Sequence, residues 1–233
     1  MTQSETLEKI SIQEHAGELS EPFTMVDLVN IDDMVLSLYL CQGTMPQHRH
    51  VDQDELFLVH SGTISLESDW GTAVLRPGEL AVAPKGVGHR SSSLLRSLVL
   101  LLQPRLMVNR RNGDRRLFAL KNEGRLEKVS VPAVGRQIAT AFSPVVLAHL
   151  DTYALNLLFC EGNGPWCQNE HGVSLIMCYD GRAVLDTTNG LVSLRQGELV
   201  VVPKGLAHRL SCIERTLVLG MQRHEQPGLP LED

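Results

Sequence analysis

Short apolar runs, each closed by a turn signal, organise this chain. Residues 34–41 are aliphatic and β-branched. Similar runs stand at 55–60, 63–67, 72–75, 80–83 and 97–103. Between them lie Ser61-Gly62, then Ser68-Asp69-Trp70-Gly71, then Arg76-Pro77-Gly78. Pro followed by Gly in the last of these suits a type II turn. Runs this short predict strands, and no long apolar stripe of helical period accompanies them. The pattern predicts an all-β sandwich or small barrel.

The pattern then repeats. Shifted by 119 positions, residues 7–103 fall on 126–222 in one ungapped register, and 34 of the 97 aligned pairs are identical. Arg76-Pro77-Gly78-Glu79-Leu80 meets Arg195-Gln196-Gly197-Glu198-Leu199, and Pro84-Lys85-Gly86 meets Pro203-Lys204-Gly205. Two units of this size, each able to hold a core, are therefore expected from the 233 residues. The expected division is 1–103, a linker at 104–125, a second unit at 126–222 and a tail at 223–233.

The linker is basic: Arg105, Arg110, Arg111, Arg115, Arg116, Lys121 and Arg125 face only Asp114 and Glu123. Asp114 is placed to cap a short helix over 115–122, with Gly124 past its end. A solvated helix is the ordinary outcome of such a stretch, and contact with an anionic ligand or partner subunit is the functional one.

Composition narrows the setting. Hydrophobic residues make up 43% and charged residues 21%, with a net charge of −6. That balance gives no general attraction to nucleic acid or anionic lipid. No apolar run approaches a membrane span, and the polar start of the chain does not read as a signal peptide. The five cysteines (Cys41, Cys160, Cys167, Cys178 and Cys212) form no close pair in sequence. A reduced, cytoplasmic setting is expected, with Cys41 and Cys160, at equivalent repeat positions, as plain core residues.

The repeat is asymmetric in one respect. The first copy carries His48, His50, Glu55 and His89, and the same columns of the second read Cys167, Asn169, Ser174 and His208. Residues two apart on a strand share a face, so His48 and His50 point into one cavity. Glu55 has the wrong parity for the same straight strand, so the polar 51–54 segment is expected to reset the direction. Asp54 is the rival acid. Three imidazoles and a carboxylate suit a divalent Fe, Mn, Co, Ni or Zn ion better than Ca or Mg.

Gly43, His48-Arg49-His50, Glu55 and Gly62, followed by Gly78, Pro84, Gly86 and His89, resemble the two motifs of the cupin superfamily. Ser93 departs from the Asn often found at the end of the second motif. The resemblance covers both copies and implies a bicupin: two tandem jelly-roll β-barrels joined by a short, partly helical linker. It implies that His48, His50, Glu55 and His89 bind one divalent transition metal inside the first barrel. A metal-dependent enzyme of dioxygenase type acting on a small organic substrate is the activity it favours. A metal-dependent isomerase or decarboxylase, or a non-enzymatic metal or small-molecule sensor, are the alternatives. No catalytic acid or base stands out beyond the ligands.

Alternation from Glu55 turns Phe57 and Val59 into the barrel and Leu56 and Leu58 outward, with Phe57 and Met45 as either pocket or plain core residues. His60 is expected at the surface or an interface. In the second copy Gly162, Pro165, Gly181, Gly197, Pro203 and Gly205 keep the turns. The second barrel is expected to be metal-free, a structural partner or a second ligand pocket with His208 as a satisfied buried histidine; the alternative is that Cys167 and His208, with Glu170 or His171, offer donors to a soft metal. A small-molecule ligand is the expected partner, with neither nucleic acid nor membrane, and exposed strand edges make a homodimer plausible.

Overall fold

The structure, a computed structural model, describes residues 7–106, 110–112 and 124–223. Two antiparallel sheets carry almost all of it, one of ten strands and one of eight. The architecture is all-β, with each apolar run of the first copy forming a strand: Met34–Thr44, Glu55–Ser61, Ile64–Ser68, Gly71–Leu75 and Glu79–Ala83. The last strand, His89–Pro104, begins well before the apolar run at 97–103. Its polar first half pairs with Ile64–Ser68, and its apolar second half pairs with Met34–Thr44 and Glu55–Ser61. Backbone pairing needs no apolar side chain, so hydropathy marked only the buried half.

Gly78 has φ 76°, and the Glu79 amide donates to the Arg76 carbonyl at 2.8 Å, as a type II turn with Pro77 requires. Two helices were not foreseen, Ile12–Ala16 and Val131–Gln137. Both are too short for a stripe, and each is capped by a serine hydroxyl, Ser11 or Ser130. The helix expected over 115–122 and the tail beyond 223 lie outside the described residues. Of the linker core, Arg110–Asn112 is seen as a strand antiparallel to His48–His50. No helix among the described residues is long and apolar enough to cross a membrane.

The two copies exchange their first strands. Lys9–Ser11 pairs with Glu198–Val202 in the sheet of the second copy. Lys128–Ser130 pairs with Glu79–Ala83 in the sheet of the first. The exchange obeys the repeat, down to the ion pairs Lys9–Glu198 at 3.0 Å and Lys128–Glu79 at 3.1 Å.

Burial explains the exchange. Leu56 and Leu58 do face outward from their barrel, yet they are 2% and 5% exposed because the other copy covers them. They join Leu36, Leu38, Leu155, Leu157, Leu175 and Met177 in one core shared by both copies. Fully burying such a side chain contributes about 1.5–3 kcal/mol, so neither face is stable in water alone. A second cluster fills the first barrel around Tyr39, Phe57, Val59, Leu66, Leu75 and Leu101. A third fills the other barrel around Cys160, Cys178, Leu185, Leu194 and Val218. His60 lies at the interface, beside a cavity of about 160 Å³ that it lines with its repeat counterpart Tyr179.

One cysteine departs from expectation. Cys160 is bonded to Cys212 rather than standing as a plain core residue. Beside a register shift next to Gly162, strand Tyr153–Asn163 lies against His208–Arg223, which brings the two side chains together. The first copy has Ser93 in the column of Cys212 and so cannot form the bond, and comparing the repeats concealed the pair. Cys41, Cys167 and Cys178 are free thiols.

Candidate metal centre

The first barrel gathers four donors from three strands. His48 and His50 come from His48–His50, Glu55 opens Glu55–Ser61, and His89 opens His89–Pro104. The register places His48 directly opposite His89. The 51–54 segment leaves the ladder between two strands, which resets the parity and turns Glu55 inward. The donor atoms lie within 4.8 Å of one another, and all four residues are buried.

All three imidazoles direct Nε2 toward one carboxylate oxygen. Glu55 Oε2 lies 2.7 Å from His89, 3.0 Å from His50 and 3.9 Å from His48. Behind the ring, His48 Nδ1 donates to the Pro46 carbonyl and His89 Nδ1 to the Val87 carbonyl, each at 3.0 Å. A carbonyl only accepts, so the Nδ1 atoms carry protons and a neutral ring turns an Nε2 lone pair inward. His50 Nε2 has no aligned hydrogen bond despite its 3.0 Å approach to Glu55.

Lone pairs converging on a buried carboxylate repel it unless a cation lies among them. The cluster therefore fits a metal ion better than it fits a network of hydrogen bonds. Burial pushes the Glu55 carboxyl upward, but His50 and His89, when they carry a proton on Nε2 in place of a metal ion, outweigh this and hold it well below the usual carboxylate range. It is anionic at neutral pH, as a ligand must be. Three nitrogens and one oxygen are a borderline donor set, suited to a first-row transition metal.

The donors open onto a cavity of about 150 Å³ lined by Met25, Tyr39, Met45, Phe57, Ser91 and Gln103. Of the two roles open to them, Met45 and Phe57 take the pocket one, Phe57 while also packing in the barrel core. The Phe57 ring meets His89 edge-on at 5.9 Å and Tyr39 at 6.5 Å. Tyr39 Oη donates to Ser91 Oγ at 3.0 Å. Burial pushes the Tyr39 phenol up, so it stays protonated and acts as a donor.

Tyr39, Ser91, Gln103 and Met25 were missed by sequence reasoning. A signal existed: Ser91 shares strand parity with His89, and Tyr39 shares it with Cys41. The repeat holds a second signal, since Tyr39 and Ser91 become Leu158 and Leu210 in the other copy.

Asp54 is not a ligand candidate in the structure. It accepts from the Lys85 amide at 2.8 Å and from the Asp151 amide at 3.2 Å, while Lys85 pairs with Asp151 at 3.0 Å. It thereby ties a loop of the first barrel to the second copy.

The corresponding columns of the second barrel are differently used. Asn169 donates to Ser174 at 3.0 Å and accepts from the His171 amide. Cys167 and His208 pair by two backbone hydrogen bonds of 2.8 and 2.9 Å.

Comparison with known proteins agrees with this architecture. A family model described as a cupin domain matches residues 38–94. An uncharacterised protein of Bacillus subtilis (strain 168), YdbB, is 32% identical over 89 residues, covering 38% of this chain and 79% of that protein. The chain belongs to the cupin superfamily, with two cupin-like sheets in tandem. A cupin 2 conserved barrel domain protein from Leptotrichia buccalis superposes with a TM-score of 0.70 at 10% identity, covering 94% of this chain and 97% of that one. Salicylate 1,2-dioxygenase from Pseudoaminobacter salicylatoxidans, solved with gentisate, superposes with a TM-score of 0.73 at 11% identity, covering 95% and 82%. At such identities the likeness extends to the fold alone.

Proposed function

We propose that His48, His50, Glu55 and His89 bind one divalent transition metal, and that the first barrel is the site of a metal-dependent, dioxygenase-type enzyme acting on a small organic substrate. The observation that carries this reading is the convergence of three Nε2 atoms on Glu55 Oε2 beside a cavity. Such a metal supplies Lewis acidity and open positions for a chelating substrate.

The protein's own residues do the rest. Phe57, Met25 and Met45 offer an apolar wall, which excludes water and favours a compact organic body. Gln103 and the Tyr39–Ser91 pair supply polar groups that fix its orientation. Among the described lining residues, no acid or base stands beside the ligands, and Tyr39 holds its proton. That favours chemistry in which the substrate brings its own acidic proton over an isomerase or decarboxylase with a dedicated proton shuttle.

The dioxygenase fold neighbours support the reaction class, and only by analogy. The Cys160–Cys212 bond runs against the reduced setting expected from the cysteine pattern. Oxygen consumption by iron- or manganese-loaded protein, screened against catechols, flavonols and β-diketones, tests the reaction. Uptake that disappears in Glu55→Gln supports it. Tight substrate binding without oxygen uptake in any metal form contradicts it.

A further inference from the structure

The second barrel keeps only His208 of the four donor residues, yet Cys167, which stands in the column of His48, is brought beside it. Cys167 Sγ lies 3.4 Å from His208 Nε2. Their strands are locked by reciprocal backbone hydrogen bonds, the same register relation that sets His48 opposite His89 in the first barrel.

His208 is oriented as the first-barrel histidines are. Its Nδ1 donates to the Leu206 carbonyl at 2.9 Å, which matches the bond from His89 to Val87. That bond fixes the proton on Nδ1 and leaves the Nε2 lone pair of the neutral ring aimed at the sulfur. Metal-binding histidines are held by this kind of outer hydrogen bond. The imidazole is only 7% exposed, and the thiol beside it is open to solvent.

The separation, a hydrogen-bond contact in the metal-free chain, also bears on which ion the pair could hold with little movement. Zinc bonds of about 2.3 Å to sulfur and about 2.0–2.1 Å to nitrogen place two ligands of a tetrahedral ion about 3.5–3.6 Å apart. A linear two-coordinate ion would hold them more than about 4 Å apart on the same bond lengths. The observed 3.4 Å fits the tetrahedral edge.

We propose that Cys167 and His208 form a second, thiophilic metal site that takes a tetrahedral divalent ion such as zinc, with the two remaining positions open to water or an exogenous ligand. Asn169 and Ser174 are hydrogen-bonded to each other and stand aside as non-ligands. The thiol also lies 3.4 Å from the His208 carbonyl, which accepts its proton when no metal is bound. Metal binding replaces that proton with the ion. A thiolate nucleophile is the weaker reading, because burial pushes the Cys167 thiol up rather than down. The chemistry thus differs between barrels: nitrogen and oxygen donors in the first, sulfur and nitrogen in the second.

Cobalt(II) is the probe, because only a cysteine ligand gives an intense near-ultraviolet sulfur-to-cobalt band. The first barrel's cluster contains no sulfur, so the band reports the second site alone. Metal-free full-length protein is titrated with cobalt(II). The wild type is expected to develop the band and saturate it, and Glu55→Gln is expected to keep it. Cys167→Ser, a near-isosteric change at an exposed position, should abolish it. His208→Ala should weaken cobalt binding by more than about tenfold, since loss of even an outer hydrogen-bond partner costs about 10–100-fold. Absence of the band in the wild type overturns the proposal. So does a band that survives Cys167→Ser, or undiminished affinity in His208→Ala.

Discussion

His89 holds its Nε2 2.7 Å from Oε2 of Glu55 while its Nδ1 is tied to the Val87 carbonyl. The ring cannot turn away without breaking the second bond, so the carboxylate faces a fixed nitrogen. Replacing Glu55 by Gln keeps the shape and removes the charge. The amide no longer offsets a divalent cation, and metal affinity is expected to fall by more than about 100-fold, beyond the range for outer-shell losses. Competition with a chromophoric chelator measures this. Unchanged affinity would remove Glu55 from the ligand set.

Tyr39 contributes a hydroxyl to the cavity without belonging to the donor cluster. Tyr39→Phe removes one buried hydrogen bond to Ser91, at a cost of about 0.5–1.5 kcal/mol. Bound metal should be retained, with the loss appearing in substrate affinity. Metal content and substrate titration on the same variant separate the two effects. A Tyr39→Phe protein that loses its metal would make Tyr39 part of the metal's support.

The exchanged strands have an acid limit. Burial pushes Glu79 and Glu198 upward, but the Arg76 and Arg195 amides together with Lys128 and Lys9 outweigh it and hold both below the ordinary value of 4.5. A carboxyl lowered in the folded state contributes stability that is present above 4.5 and lost as pH falls through its folded value. Each pair is partly exposed and worth about 0–1 kcal/mol. The Glu79→Gln, Glu198→Gln double variant should be less stable than the wild type at pH 7. The gap should narrow as pH falls below 4.5 through the lowered folded values. Urea midpoints followed from pH 7 into acid measure it, and a constant gap would show that these carboxylates do not titrate differently on folding.

Leu38 is fully buried in the core that both copies build. Leu38→Ala is expected to cost about 2–5 kcal/mol, and to do so for both barrels together because the core and the exchanged strands are common property. Calorimetry should show one transition, shifted downward. Two transitions, with only one displaced, would mean that the barrels unfold independently.

The sequence revealed much of this and concealed the rest for physical reasons. Period-two alternation from Glu55 correctly turned Phe57 inward and Leu56 outward. It could not say that Leu56 is covered by the other copy, because a face buried against a neighbour and one buried in a core are equally apolar. The four donor columns were visible because the second copy had lost most of them. Tyr39 and Ser91 escaped notice, being ordinary residues of a strand until the fold sets them beside the histidines. Cys160–Cys212 was hidden because the pairing depends on a strand register no local pattern encodes.

The central claim is that the first barrel holds a metal through His48, His50, Glu55 and His89. Metal analysis of protein purified without a metal-affinity tag tests it most directly, with His48→Ala analysed beside the wild type. The account predicts about one equivalent of a first-row divalent transition metal in the first barrel, lost in His48→Ala. Any metal in the second barrel is counted separately by repeating the analysis on Cys167→Ser. Wild-type protein without stoichiometric metal, or the same metal content in His48→Ala, would contradict it.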